Sequence, residues 1–374
     1  MNKIVFLINS LSSGGAEKVL TVLTTELIRQ KYKVEVIFLE KNEFYVLPKE
    51  VTKIYLSNLN GEENGFIKLF YIPILSFRLK RYIKSNNIKL IQSHLTRANY
   101  INLFSKVLKA KHTVQLVNHG IISRYQGKNL SKKMGYFLIK KLYPLANIII
   151  SISKGMQNDM QKIFDFQNKQ IIINNPYNIE DIVKLSKEEV SEFKFKKNKK
   201  YLVSVGRLTA LKRNHELINS LLKLEKDIEV LFLGDGNKRC DLEKLTNNLG
   251  LKNRVHFLGN VSNPYKFLSK CNILISCSES EGFSNILVEA MICDVPVISS
   301  DCIGGPREIL APNADNEYGL LFKVGDSKKM IEHIETLLAN EMLSKQYIKK
   351  ARRRASDFSV EKIVEEYKRL LLNE

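Results

Sequence analysis

The chain has 374 residues and no tryptophan, and only five cysteines, at positions 240, 271, 277, 293 and 302. Their number is odd and none falls in a CxxC pair, which argues against a disulfide framework or a zinc cluster and for a reduced compartment. No run of 18 uncharged apolar residues occurs, so no membrane-spanning helix is predicted. The opening 3-KIVFLIN-9, followed by SLSSGG, has too short an apolar stretch for a signal peptide. The expectation is a cytoplasmic protein.

Acidic residues are missing from one long stretch. Between Glu63 and Asp159 there is none, while seventeen Lys or Arg fall in the same span. Residues 1–180 carry 27 Lys and Arg against 11 Asp and Glu, whereas the remainder carries 32 against 28. A lysine-rich genome raises lysine everywhere, but it does not remove acids from one half only. The net charge of +20 is therefore expected to reflect a first half that faces something anionic.

What is present is the pattern of an α/β protein. Short β-branched runs, such as 3-KIVFLIN, 34-VEVIFL, 88-IKLIQ, 113-TVQLV, 147-NIIIS and 170-QIIIN, alternate with helical patterns. The second half repeats this with 200-KYLVSVG, 229-EVLFLG, 254-RVHFLG, 272-NILIS, 295-PVISS and 319-GLLF. Amphipathic segments at 15–30, 98–109, 214–225, 238–249 and 327–339 lie between them. Such a chain builds parallel sheets covered on both faces, and its length suits two domains of roughly 150–200 residues. The expected division is 1–180, 181–358 and a last helix, 359–374, that can join either domain. The polar piece 178–200 is the best linker candidate.

Ligands of open parallel sheets bind beyond the carboxyl ends of the strands, so the loops there are the places to look for chemistry. After the first strand, Gly14 and Gly15 in 10-SLSSGGAEKVL-20 allow backbone N–H groups to approach an anion, or simply make a tight turn capped by Ser12 or Ser13. His119, in 118-NHG-120, is placed to donate a hydrogen bond to a sugar hydroxyl or phosphate, although a lone histidine is more often structural. His94 follows another strand. Arg207 and Lys212, in 206-GRLTALK-212, flank a turn with Asn214 as a plausible N-cap, and can clamp a pyrophosphate without a metal. A solvated pair of surface charges is the plainer reading. Gly234, Gly236 and Gly259 suit either a nearby nucleotide or ordinary turns. In 281-EGFSNILVE-289, Ser284 or Asn285 can cap the following helix and leave nearby N–H groups for a phosphate. Glu281 and Glu289 could then take hydrogen bonds from two parts of one ligand. The alternative for Glu289 is a satisfied buried acid.

These features taken together, GGAEKVL, GRLTALK, 232-FLGDG-236 and the E-x7-E of residues 281–289, resemble glycosyltransferase family 4 over essentially the whole chain and in the family's order. The resemblance implies the GT-B architecture, with two facing Rossmann-like domains. It also implies retaining, metal-independent hexosyl transfer from a nucleotide-sugar donor, with no cofactor. By the same resemblance Arg207 and Lys212 would clamp the donor diphosphate, with Gly14 and Gly15 approaching it from the other domain. Glu289 would take the ribose hydroxyls and Glu281 those of the donor sugar. The backbone of Gly282, Phe283, Ser284 and Asn285 would lie near sugar and phosphate, and His119 beside the reacting sugar. The loop 300-SDCIGGPREIL-310 is similar to that of bacterial transferases building O-antigen, capsule or protein-linked glycans. That subgroup implies a UDP-sugar donor and a polyprenyl-diphosphate-linked saccharide acceptor. A GT-B sugar-nucleotide epimerase is the alternative within the architecture. A basic nucleic-acid-binding protein is the rival from another class, but no helix-turn-helix, RNP-like or zinc-finger pattern appears.

The acid-free span then acquires a use. Segment 66–84 places Phe66, Phe70, Phe77 and Ile83 among Lys68, Arg78, Lys80, Arg81 and Lys84. Segment 130–145 surrounds Met134, Phe137, Leu138 and Leu142 with Lys132, Lys133, Lys140 and Lys141. Helices of this type bind anionic membrane surfaces or the diphosphate of a lipid-linked acceptor, which predicts a peripheral protein on the inner face of the plasma membrane. Core helices with solvated lysines are the ordinary alternative. Pro73 argues against a single continuous helix in the first segment.

Overall fold

Nearly every β-branched run becomes a strand, and all of these strands pair in parallel. The computed structural model describes residues 3–127, 129–314 and 317–372. It divides into a first unit, running to Tyr177 and resuming at Val360, and a second unit, Asn178–Ser359. In the first unit the strands are β1 (Lys3–Ile8), β2 (Lys33–Phe38), β3 (Thr52–Tyr55), β4 (Leu90–His94), β5 (Thr113–Asn118), β6 (Ile148–Ser151) and β7 (Lys169–Ile172). They lie in the order 3-2-1-4-5-6-7. The second unit contains β8 (Lys200–Val205), β9 (Ile228–Leu233), β10 (Val255–Gly259), β11 (Ile273–Ser276), β12 (Val297–Ser300) and β13 (Leu320–Phe322), in the order 10-9-8-11-12-13. Central strands such as β1 and β9 are buried along almost their whole length. That is why they read as unbroken apolar runs rather than alternating ones.

Three elements differ from the sequence reading. Strand β3 was not expected: it is an edge strand of four residues, partly exposed throughout, and so lacks the apolar run of a central strand. The segment 178–200 is not all linker. Asn178 caps a helix, Ile179–Ser186, by accepting from the Asp181 N–H, and this helix packs against Tyr265–Leu268 in the second unit. Pro73 does not break its helix either. Gly65–Ser85 is continuous, because Ile72, Leu75, Leu79 and Ile83 are all buried on one face, and this packing outweighs the hydrogen bond that proline cannot make.

The last helix, Val360–Leu371, packs on Gly15–Arg29 of the first unit. Its apolar stripe of Val360, Ile363, Val364, Tyr367 and Leu371 is buried, at the spacing of one helical face. At its start the Val360 N–H donates to the Tyr177 carbonyl at 2.9 Å.

Polar groups are also built into the first unit. His94 is fully buried, and burial pushes its imidazole well below the usual range. Burial brings His112 and His119 down to about 4. These rings stay neutral in the native state, while the unfolded chain takes up protons near pH 6.5, so their contribution is complete above that pH and is lost as pH falls towards 4. Each ring contributes a slope of up to about 1.4 kcal/mol per pH unit. Urea unfolding between pH 7.5 and 5 should therefore show stability declining from about pH 6.5 downward. A flat profile over that interval would contradict the neutral buried rings.

Candidate functional site

Strand order reverses between β8 and β11 in the second unit and between β1 and β4 in the first. Ligand crevices of open α/β sheets form at such points, and the loops leaving these strands carry most of the expected residues. In the second unit the loops after β8 and β11 are tied together. The Glu279 N–H donates to the Leu211 carbonyl at 2.8 Å. Lys212 Nζ donates to Glu281 Oε1 at 2.6 Å, and Ser278 Oγ reaches the same oxygen at 2.6 Å. Two residues 69 apart in sequence thus form a charge-assisted pair in a partly buried position. Arg207, five residues before Lys212, is exposed and has no ion-pair partner among the described residues. Of the expected clamp, one cation is held by Glu281 and the other faces solvent.

The loop 301–306 braces this arrangement. The Glu281 N–H donates to the Ile303 carbonyl at 3.0 Å. Gly304 sits at φ 122°, and a Cβ there would lie 1.6 Å from the Glu281 carbonyl oxygen, while one on Gly305 would lie 2.1 Å from that of Phe283. No side chain fits at either position without moving residues 281–283. The neighbouring Cys302 thiol is pushed up to about 12 by burial and by the Glu281 charge, so it stays protonated and is no nucleophile at neutral pH. Glycine serves the same end in the expected GDG turn. A Cβ on Gly234 would lie 2.2 Å from the Gly206 carbonyl oxygen, and one on Gly236 2.3 Å from that of Leu208. The close neighbour of this turn is therefore the β8 loop.

Phe283 is buried edge-on against Phe358, ring centroids 5.3 Å apart. This anchor turns the chain into the helix Asn285–Ile292, but not through the cap expected from sequence. Ser284 adopts φ 72° and its side chain caps nothing. Its hydroxyl is buried without a hydrogen-bond partner among the described residues. A serine in the left-handed region costs about 1–3 kcal/mol, and strain of this kind gathers at ligand sites. Asn214 does not cap its helix either: Arg213, at φ 48°, takes that position, and Asn214 Oδ1 accepts from Ser204. Glu289 is buried, and the Tyr265 hydroxyl donates to it at 3.4 Å. Sequence reasoning missed Ser278 and Tyr265. Ser278 left a faint signal as a serine two residues beyond a strand end, whereas Tyr265 is near Glu289 only through folding.

In the first unit, the Gly14 N–H donates to the Ser12 carbonyl at 2.8 Å, and the Glu17 carboxylate lies where a Cβ of Gly14 would be. Neither Ser12 nor Ser13 caps the helix Gly15–Arg29; Ser12 Oγ instead donates to Glu17 at 2.8 Å. A carboxylate of the chain itself thus lies at this helix N-terminus, and the Gly14 N–H is already bonded within the turn. His119 and His94 do meet, with His119 Nε2 3.1 Å from His94 Nδ1.

The two basic segments form helices with exposed apolar stripes. On Gly65–Ser85, Ile67, Phe70, Ile74 and Phe77 are exposed in line with Arg78, Arg81 and Lys84. Phe70 is 76% exposed. On Leu130–Leu142, Leu130, Met134 and Phe137 are exposed beside Lys132, Lys133, Lys140 and Lys141. Core packing does not account for these stripes. It does account for Ile83 and Leu142, which are buried. Lys68 and Arg78 are also partly structural, donating to the Gly61 carbonyl at 2.5 Å and the Leu56 carbonyl at 2.6 Å. The Phe66 side chain lies outside the described residues. Among the described residues no helix is long and apolar enough to cross a membrane, and no group of three His, Cys, Asp or Glu is placed to hold a metal ion.

Comparison with known proteins agrees with this geometry. Residues 13–181 match the model described as Glycosyltransferase Family 4, and residues 186–354 match that of Glycosyl transferases group 1. The N-acetylgalactosamine-N,N'-diacetylbacillosaminyl-diphospho-undecaprenol 4-alpha-N-acetylgalactosaminyltransferase of Campylobacter jejuni is 32% identical over 100% of both chains. A second C. jejuni protein, the GalNAc-alpha-(1->4)-GalNAc-alpha-(1->3)-diNAcBac-PP-undecaprenol alpha-1,4-N-acetyl-D-galactosaminyltransferase, is 27% identical over 99% of this chain and 98% of its own. Among solved structures, Anabaena HepE in complex with UDP-glucose superposes with a TM-score of 0.78 over 100% of both chains at 21% identity. With both halves matched in order and a relative this similar along its whole length, the chain belongs to the family 4 glycosyltransferases and has their two-domain GT-B fold.

Proposed function

We propose that the protein transfers a hexose or N-acetylhexosamine from a UDP-sugar to a saccharide carried on undecaprenyl diphosphate, with retention of configuration and no metal ion. The observation that carries this reading is the Lys212–Glu281 pair at 2.6 Å, with the exposed Arg207 beside it, at the reversal of strand order. Lys212 and Arg207 bind the donor diphosphate and stabilise the charge that develops as it leaves. Glu281 orients the donor sugar through its hydroxyls. Glu289, held by the Tyr265 hydroxyl, takes the ribose hydroxyls, and the backbone of Gly282, Phe283, Ser284 and Asn285 lies along sugar and phosphate. The acceptor oxygen bonds to the anomeric carbon on the face from which the diphosphate departs, and its proton passes to the departing diphosphate oxygen. No side-chain nucleophile is needed.

The substrate classes follow the relatives. Both Campylobacter proteins are named for undecaprenyl-linked acceptors and for α linkages. The α linkages favour retention, since UDP-hexosamines are themselves α-glycosides. The UDP-glucose complex of HepE supports a UDP-sugar donor. The two exposed apolar stripes with their lysines suit a peripheral position on the cytoplasmic face of the membrane, with Lys80, Arg81 and Lys84 towards anionic headgroups.

Four measurements test this. UDP and UDP-N-acetylhexosamines should raise the melting temperature equally with and without EDTA. In Arg207→Ala the affinity for UDP, read by calorimetry, should fall about tenfold, the loss of one charge-assisted contact; unchanged affinity rejects the clamp. Glu281→Gln should lower kcat at least about tenfold while UDP affinity stays within a few-fold. Equal collapse of both would remove Glu281 from the sugar. Finally, Phe70→Ser/Phe77→Ser and, separately, Lys80→Glu/Arg81→Glu/Lys84→Glu should each reduce cosedimentation with phosphatidylglycerol vesicles. If neither variant does, the membrane surface lies elsewhere.

A further inference from the structure

A line of buried polar side chains crosses the first sheet from the last helix to His119. Gln115 Nε2 donates to the Leu370 carbonyl at 2.8 Å, and Gln92 Nε2 donates to Gln115 Oε1 at 2.9 Å. His94 Nε2 lies 3.2 Å from Gln92 Oε1, and His94 Nδ1 lies 3.1 Å from His119 Nε2. Gln92, His94 and Gln115 have no exposed surface. Polar groups so deeply buried are costly unless each finds its partner, and here every link is made.

The direction of the line is forced from one end. A backbone carbonyl can only accept, so Gln115 turns its amide NH2 to Leu370 and its oxygen to Gln92. Gln92 must then give its NH2 to Gln115 and its oxygen to His94. His94 therefore carries its proton on Nε2. Burial keeps that ring neutral, so its Nδ1 is a bare lone pair and His119 must be the donor, from Nε2. Burial keeps His119 neutral as well. A neutral ring protonated on Nε2 has an unprotonated Nδ1, and nothing among the described residues donates to it.

We propose that Gln92, His94 and Gln115 are positioning residues that, anchored on the Leu370 carbonyl, hold His119 in its Nε2–H tautomer, so that Nδ1 accepts a hydrogen bond from a sugar hydroxyl. This rests on the transferase reading of the site and reverses the role expected from sequence, in which His119 donates. It also discriminates between ligand groups. A hydroxyl can satisfy a bare Nδ1, whereas a phosphate oxygen, with no proton to give, is repelled by the lone pair. His119 is thereby suited to orient a sugar and not to hold a diphosphate.

The tautomer can be read without any substrate. Long-range 1H–15N spectra of the 15N-labelled full-length protein at pH 7.5, with His119→Gln used for assignment, should show His94 and His119 both protonated on Nε2 alone. A proton on Nδ1 of His119 overturns the proposal whatever the activity. Gln92→Met, close to isosteric, should give His119 a mixture of tautomers and lower kcat by about tenfold or more, with KM for the UDP-sugar within about threefold. An unchanged His119 tautomer in that variant removes the positioning role. A shifted tautomer with unchanged kcat removes the hydroxyl contact. Should the unmodified protein turn over no UDP-sugar at all, the transferase reading fails, whereas the spectrum reports on the tautomer independently.

Discussion

The second unit depends on main chain lying closer to main chain than one methyl group would permit. Gly304 and Gly305 press on the carbonyls of Glu281 and Phe283, and Gly234 and Gly236 press on those of Gly206 and Leu208. Contacts of this kind have no rotamers to relax into, so the loops after β8, β9, β11 and β12 are set against one another almost as rigidly as the strands themselves. Lys212 meets Glu281 because of that bracing. The pair is not a fortunate encounter of two long side chains, which would be weak and easily screened at a surface.

Rigidity here coexists with strain. The left-handed Ser284, its hydroxyl buried without a partner, stands at the start of the helix bearing Glu289, with the Phe283 ring wedged into the core on the preceding residue. The core contact holds the turn and the turn holds the helix end in place. Catalytic electrostatics benefits from such preorganisation, since groups that are already fixed need no reorganisation when charge moves.

Sequence legibility followed burial. Central strands such as β1, β5 and β9 were plain because both of their faces are covered, and a strand of that kind can only be apolar. The edge strand β3 was invisible for the opposite reason. The spacing of Arg207, Lys212, Glu281 and Glu289 singled out the loops after β8 and β11, yet local sequence cannot show that Lys212 and Glu281 touch, because their meeting depends on the order of β8 and β11. Helix caps misled at Ser284 and Asn214, where tertiary packing imposed left-handed backbone that a cap preference does not foresee. The glycines of GDG and IGGP were visible, but what they accommodate was not: the neighbour proved to be backbone of the same unit. The line from Leu370 to His119 joins residues as far apart in sequence as Gln115 and Leu370 and had no local signature.

The hydrogen bond between Val360 N–H and the Tyr177 carbonyl makes the second unit an insertion at a single point of the first. All seven strands of the first sheet leave the ribosome early, but the helix that covers Gly15–Arg29 and offers its carbonyl to Gln115 is made only after the second unit. During synthesis the second unit can close on itself while the first still waits with an unpaired amide in its interior. The order of emergence and the order of completion are therefore opposite, and a chain released before Val360 would hold a finished second unit and a first one with its polar line open at one end.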